Sequence, residues 1–502
     1  MDFIVRHILT LILFLPTAAA AVIFLLPKTR EKLIKWVAFL SSLLPLLLTV
    51  VLWNGFNSDQ VGFQFQEQAA WFPSIASTYH IGIDGISLPM VLLTTLLTPL
   101  CLLASFSIKD RIQPYMILFL LLETGMLGVF VSLDLLLFFV FWEIGLVPMY
   151  FLINQWGGEN RNYASLKFIL YTMAGSLGLL LSIQLIGVVS GTFDLPEVLK
   201  SWTGLTGSLL GLPIAMVKSI AFWAFVVAFA IKVPVWPFHT WLPDAHTEAP
   251  TPGSMILAGV LLKLGAYGFL RLVLPLFPVE SKFFAGGLVF LAVMAIIFGA
   301  FAAFGQRDFK KLVAYSSINH MGFVVLGIAV GAAAFGTENS HLALNGAVLQ
   351  MFNHGLSSAG MFFLVGVIYE RTHTRNLDDF GGLFTLMPVY GGLLLFISMA
   401  SLGLPGLNGF VSEFLVVRGA WPVFTTATAL SMIGLLFTGA YVLLALKKVL
   451  HGPVNPRWIG HLSEINTHEI YVLVPLIVFI LAIGLWPVWI LEIINKAVMM
   501  LY

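Results

Sequence analysis

Six ionisable side chains stand inside long apolar runs of this sequence: Glu143, Lys232, Lys263, His320, His354 and Glu413. Near the centre of a bilayer each such group costs on the order of 3 kcal/mol on insertion scales, and more in simulations. Something must offset that cost, either a static ion pair or a proton relay. Lysine suits a relay, because burial weakens its hold on a proton and a nearby carboxylate restores it. Glu143 lies about nine residues into its run, about 14 Å along a helix axis at 1.5 Å per residue. Charges at Glu143, Lys232 and Lys263, on three separate runs, fit a relay better than one fixed pair. A lone histidine on an apolar helix is usually a packing residue, and His354 carries that competing reading. His320 follows Asn319 in a polar stretch, which favours function. Glu123 also falls within an apolar run, with no partner the sequence names. Asp134, Glu159, Asp244, Glu248, Asp378 and Asp379 fall at run ends or in loops, where solvated charge is the default expectation.

The elements that must hold these groups are membrane helices. Hydrophobic residues make up 59% of 502 positions and charged residues 10%, against roughly 25% charged in a soluble domain. Apolar runs of roughly 20 residues, the length that crosses the hydrocarbon, lie near 5–26, 33–53, 82–106, 114–132, 134–153, 166–189, 214–238, 251–276, 283–304, 311–333, 342–368, 385–418, 423–446 and 472–494. The expected fold is an all-α polytopic membrane protein of about fourteen helices. Alternate loops then share a face. Arg6, Lys200, Lys218, Arg271, Lys282, Arg418 and Lys496 fall on one side, and sixteen other Lys and Arg on the opposite side. The richer side is expected to be cytoplasmic, with both termini on the far side.

Two runs look interrupted. I-K-V-P-V-W-P carries Pro234 and Pro237, and S-L-G-L-P-G-L-N-G-F carries Gly403, Pro405, Gly406 and Gly409. Each proline removes a helix hydrogen bond and crowds the carbonyl four residues earlier. Paired breaks in two halves point to an internal repeat with a functional site at the breaks; an ordinary kink is the alternative. A half-helix ending just after Lys232 would present free carbonyls that favour a positive charge.

Other classes drop out. A formal net charge of +1 with no basic run offers nucleic acid no footprint. Cys101, the one cysteine, cannot make an internal disulfide or supply an iron–sulfur cluster. No dinucleotide fingerprint or Walker loop occurs. The run from Val5 to Leu26 is too long for a signal core, and Lys28, Arg30, Lys32 and Lys35 follow it, so it reads as a retained helix.

The stretch P-F-H-T-W-L-P-D-A-H-T-E-A-P-T-P-G-S-M-I-L-A-G-V-L-L-K-L-G-A-Y-G, Pro237 to Gly268, resembles the signature of the antiporter-like subunits of NADH:quinone oxidoreductase (complex I) and of the related multisubunit cation/proton antiporters. Phe138 to Ile153 and Gly403 to Phe414 resemble the M, or chain 4, branch of that family, and the likeness runs along essentially the whole chain. It implies two inverted five-helix repeats with broken helices 7 and 12. The expected divisions are 1–113 (helices 1–3), 114–276 and 283–450 (the repeats) and 451–502 (a loop and helix 14). By resemblance, Glu143 matches the fifth-helix glutamate, Lys232 the seventh-helix lysine that exchanges partners with it, and Lys263 the central lysine. His320 matches the histidine of the central polar axis and Glu413 the twelfth-helix acid near the exit. His239, His246, His354 and Glu123 are secondary candidates, and Pro234 and Pro405 mark the breaks. The L-type subunit has a lysine where Glu413 stands and a long lateral C-terminal helix, for which the residues up to Tyr502 leave no room. The resemblance implies proton translocation through half-channels, driven by quinone reduction in other subunits. No cofactor or metal is expected in this chain; FMN, iron–sulfur clusters and quinone belong to partners, namely the L- and N-type membrane subunits and the peripheral redox arm. A bacterial inner membrane is the expected location. A sodium/proton antiporter subunit and a subunit of a photosynthetic ferredoxin:plastoquinone oxidoreductase are the alternative members. A solute carrier or membrane scaffold, which needs no buried lysines, is the alternative of another class.

Overall fold

The computed structural model describes residues 6–209 and 211–501. The expected helix start at Val5, and Tyr502, lie outside the described residues. Among the described residues, thirteen helices are long and apolar enough to cross a membrane. In chain order the elements that matter here are α1 (Ile8–Leu25), α2 (Glu31–Gly55), strands β1 (Gln64–Phe72) and β2 (Ser77–Ile83), α3 (Ser87–Ala104), α4 (Ile112–Val131), α5 (Leu135–Ile144), α6 (Leu146–Trp156), α7 (Arg161–Ser190) and α8 (Leu195–Thr203). There follow α9 (Ile214–Lys232), α10 (Trp241–Glu248), α11 (Thr251–Leu276), α12 (Ala285–Phe304), α13 (Phe309–Ala333), α14 (Glu338–Thr372), α15 (Pro388–Leu402), α16 (Asn408–Ala420), α17 (Thr425–Leu450), α18 (Thr467–Leu485) and α19 (Val488–Met499). α15 is a shorter apolar helix, and α16 follows it across the break at residues 403–407.

Burial sorts the helices. The apolar windows of α11 and α14 are wholly interior, whereas only 28% of those of α2 and α18 is covered. On α2, Leu40, Leu44, Leu47 and Val51 are exposed at helical spacing, a stripe that water would penalise and acyl chains or a neighbouring helix would accept. Small residues let the inner helices approach. At Gly346 of α14 an added Cβ would lie 2.6 Å from the Val416 nitrogen and 2.8 Å from the Ser412 carbonyl of α16. The two backbones therefore touch, and side chains one turn along can meet.

Both expected breaks are real ends. Run 214–238 stops at Lys232, after which Val235 N–H donates to the Ala230 carbonyl at 2.8 Å and the Trp241 indole N–H to the Ile231 carbonyl at 2.9 Å. Pro234 and Pro237 have no N–H to continue the ladder, so an indole and a widened turn take up the freed carbonyls. Run 385–418 is likewise two helices, parted where Gly403 (φ +83°) and Gly406 (φ +92°) turn the chain through the left-handed region. Run 134–153 divides at Gly145 into α5 and α6, and run 472–494 at Pro487 into α18 and α19. In α11 two π-helical segments, Leu257–Leu261 and Phe269–Val273, flank the α-helical turn holding Lys263.

Several expectations about polar residues need correction. The unassigned stretch Asn54 to His80 contains most of an antiparallel hairpin, β1 with β2, so the third span begins at Ser87 and not at residue 82. Asp134 is not solvated: it is 1% exposed, caps α5 through the N–H groups of Leu136 and Leu137, and accepts from Ser77 and Thr78 of the hairpin. Its carboxyl is pushed above the ordinary range by burial, against those hydrogen bonds. Lys218, Arg271 and Lys310, counted as loop charges, are buried near helix ends.

Candidate functional site

The second half of the molecule assembles a polar line between α11 and α16. Lys263 Nζ donates to the Ala258 carbonyl at 2.5 Å, a group of the first π segment, and meets His354 Nδ1 of α14 at 2.7 Å. The rings of His354 and His320 are 5.7 Å apart, centre to centre. His320 Nδ1 of α13 is 2.8 Å from Glu413 Oε1 of α16, and Gln350 Nε2 donates to the same oxygen at 3.0 Å. Ser412 Oγ donates to Gln350 Oε1, and Asn353 Nδ2 to the Asn408 carbonyl at the first residue of α16. Lys263, His354, His320 and Glu413 are each no more than 5% exposed. A buried polar group without a partner costs the full desolvation penalty. Here, however, each of these four side chains has at least one.

The first half is arranged differently. Lys232 is 2% exposed, and its Nζ lies 5.1 Å from the centre of the Trp142 ring and 5.9 Å from that of Phe168. Trp142 is fixed in turn by its indole N–H on Ser176 Oγ at 3.0 Å. Glu143, the neighbour of Trp142 on α5, acts on Lys232 through its field but makes no ion pair with it, and its buried Oε1 has no hydrogen-bond partner. The two residues expected as a pair are thus near each other and apart. Of the secondary candidates, His354 joins the polar line. His246 is buried flat against Phe362, ring centres 4.4 Å apart, with both nitrogens unpartnered. His239, half-buried beside Tyr315, and Glu123, fully buried with both oxygens unpartnered, stand outside the line.

Gln350, Asn353 and Lys310 escaped the sequence reading. The signal was present in Q-M-F-N-H, where Asn353 and His354 follow Gln350 by three and four residues and so flank it on one helix face. Lys310 donates to the Ala249 carbonyl at 2.5 Å. Its charged neighbours, Glu248, Asp308 and Arg375, line an open polar cavity of about 580 Å³. His246 lies within the fields of both Lys310 and Lys263. Among the described residues no three His, Cys, Asp or Glu side chains group to hold a metal ion.

Long apolar helices, with runs 214–238 and 385–418 parted at proline and glycine, around a buried line of amine, imidazole and carboxylate define a polytopic membrane protein of the ion-translocating kind. The family described as NADH:quinone oxidoreductase/Mrp antiporter, TM, matches residues 132–438. NADH-quinone oxidoreductase subunit M of Rickettsia conorii is 41% identical over 497 residues, covering 98% of each chain. NADH-ubiquinone oxidoreductase chain 4 of Marchantia polymorpha is 38% identical over 490 residues, 97% of this chain and 95% of that one. A chain of respiratory complex I from Thermus thermophilus with bound NADH superposes with a TM-score of 0.86 at 29% identity, over 98% and 99% of the two chains. The protein belongs to the NADH:quinone oxidoreductase/Mrp antiporter family of membrane subunits, in its subunit M group.

Proposed function

We propose that this chain is the M-type proton-translocating subunit of an NADH:quinone oxidoreductase, working beside L- and N-type subunits. Electron transfer through FMN, iron–sulfur clusters and quinone is left to partner chains. The observation that carries the reading is the line Lys263, His354, His320, Glu413, which links the fully buried α11 to the broken α15–α16 element.

The donors fix how such a line works. A charged Lys263 donates to His354 Nδ1, which places that ring's proton on Nε2. His320 donates Nδ1–H to the Glu413 carboxylate, which leaves its Nε2 as a free lone pair. Both Nε2 atoms are buried and unbonded. His354 takes the lysine's proton at Nδ1 and releases its own from Nε2 toward His320. His320 gains it there and gives its Nδ1 proton to Glu413. One proton has moved, the amine is neutral, and the carboxyl is ready to discharge at the α15–α16 break. Proton loading comes from the side carrying sixteen basic residues, taken as cytoplasmic, with the Lys232 region controlling it. The polar cavity lined by Glu248, Asp308 and Arg375, the charged neighbours of Lys310, supports an entry point at that face. Quinone chemistry elsewhere drives the cycle only by acting unequally on the two protonation states, and the Glu143–Lys232 separation is the switch we assign to it. The division into two inverted repeats, 114–276 and 283–450, gives each half one break and one ionisable group beside it.

The test is the assembled complex in proteoliposomes. Lys263→Ala should keep quinone reduction measurable while lowering protons moved per electron; an unchanged ratio overturns the reading. The native complex isolated with dehydrogenase subunits supports an oxidoreductase. Isolation without them, or sodium flux in place of proton flux, supports the antiporter alternative.

A further inference from the structure

Glu413 is held by a chain of hydrogen bonds that runs one way. Asn353 Nδ2 donates to Ser412 Oγ at 3.0 Å, Ser412 Oγ to Gln350 Oε1 at 2.5 Å, and Gln350 Nε2 to Glu413 Oε1 at 3.0 Å. Chemistry fixes the direction from the last member back. A carboxylate only accepts, so the Gln350 amide turns its NH2 to Glu413 and its oxygen to Ser412. That oxygen takes the one hydroxyl proton of Ser412, for which the Gly409 and Asn408 carbonyls, at 3.2 and 3.4 Å, are longer alternatives. Ser412 Oγ then has its lone pairs left for Asn353. The other N–H of Asn353 goes to the Asn408 carbonyl at 2.7 Å, and Asn408 Nδ2 returns to the Asn353 carbonyl at 3.2 Å. Asn353, Gln350, Asn408 and Ser412 are each no more than 2% exposed. Gly346, Gln350 and Asn353 lie along one face of α14, and Asn408, Ser412 and Val416 along one face of α16. The backbones touch there at Gly346. The chain ends on the oxygen that His320 Nδ1 meets at 2.8 Å. The other carboxyl oxygen faces the break: a Cβ on Gly403 would lie 3.5 Å from Glu413 Oε2.

We propose that Asn353 and Ser412 are positioning residues that act through Gln350: their one-way chain holds the plane of the Glu413 carboxyl, with one oxygen at His320 and the other toward the break. The final torsion of a glutamate is broad and roughly two-fold, so the side chain alone does not set that plane. Donors that polarise one another down a chain strengthen the last bond, and here the last bond is the one that orients the acceptor. As the His320 Nδ1–H bond breaks, an Oε1–H bond forms; the imidazolium becomes neutral and the carboxylate becomes an acid. No amide or hydroxyl of the chain gains or loses a proton. The inference rests on the reading that Glu413 receives the translocated proton from His320.

The experiment measures protons per electron for the assembled complex in proteoliposomes, with quinone reduction continuing, in Gln350→Met, Ser412→Ala, Ser412→Thr and Asn353→Leu. Gln350→Met, which removes the last donor, should lower the ratio by about threefold, and Ser412→Ala and Asn353→Leu by about twofold each. Ser412→Thr, which keeps the hydroxyl, should retain most of it. Ser412→Ala added to Gln350→Met should lower the ratio no further, because residues that act through one donor are not additive. An assembled Ser412→Ala variant with the original ratio overturns the proposal, and so does a double variant whose loss is the product of the two single losses. Failure of both Gln350→Met and Ser412→Ala to assemble also overturns it, because the chain would then hold the fold and not the carboxyl. If Glu413→Gln alone leaves the ratio unchanged, the acceptor role of Glu413 fails, which is a separate result from the coupling of Ser412 to Gln350.

Discussion

The two broken helices use one device in opposite conditions. In each, an ionisable side chain sits beside an interrupted backbone: Lys232 ends α9, and Glu413 lies in the second turn of α16. Glu413 is gripped, with His320 and Gln350 on a single oxygen. Lys232 is loosely held, with two aromatic rings for company and its carboxylate out of ion-pair reach. Hydrogen bonds to a charged group contribute about 1.5–3 kcal/mol each, and a desolvated cation–π contact about 2 kcal/mol. Taking an ion out of water costs several kcal/mol. The carboxylate is therefore nearly compensated where it stands, and the amine is not. A site that must change state in response to a distant event belongs on the uncompensated side, and a site that must receive and release one proton belongs in the gripped one.

Breaking the gripped side should have the largest effect. Glu413→Gln keeps the volume but cannot accept a proton along the proposed route from His320, and proton translocation should fall more than about tenfold, the effect of losing roughly 1.4 kcal/mol or more at the rate-limiting transfer. Glu413→Asp, a carboxylate drawn back by one carbon, should retain part of it. Equal translocation in the Gln variant would remove Glu413 from the line. Next comes the aromatic box. Trp142→Leu deletes the nearer ring over Lys232 and should lower coupled turnover several-fold, in line with about 2 kcal/mol of cation–π support; Phe168→Leu, the farther ring, should do less. If the two variants are equal and mild, the rings are packing residues and the contrast between the halves weakens. Gly403→Ala probes the break itself. A Cβ at φ +83° is strained by about 1–2 kcal/mol and would lie 3.5 Å from Glu413 Oε2, so thermal unfolding of the complex should show a loss of that order together with a modest fall in protons per electron.

The smallest effect concerns pH. Burial acts to raise the Asp84 carboxyl, but the Arg271 guanidinium and the backbone N–H groups of Ser87 and Ile86 outweigh it and hold it below the ordinary carboxylate range. A group lowered in the folded state adds stability above its unfolded pKa of about 3.9 and loses it as pH falls toward the folded value. Asp84→Asn should thus destabilise the complex at neutral pH, and the difference from the parent should shrink only below about pH 4. A gap that closes between pH 5 and 7 would contradict the clamped carboxylate.

Composition and run length determined the membrane class and the number of crossings, because about twenty apolar residues in succession have one stable solvent. Proline and glycine determined where helices fail, because a missing N–H and a positive φ act on the residue itself. The ionisable candidates were visible because charge inside such a run is costly wherever the run packs. Tertiary structure alone decided their partners. Nothing local puts His354 beside Lys263, ninety-one positions away, or separates Glu143 from Lys232; that depends on which helix faces meet, and Gly346 against α16 shows the meeting set by backbone contact. The same holds for Asp134, Arg271 and Lys310, which stand near run ends like solvated charges. Burial of a helix end is a property of its neighbours and not of its own residues.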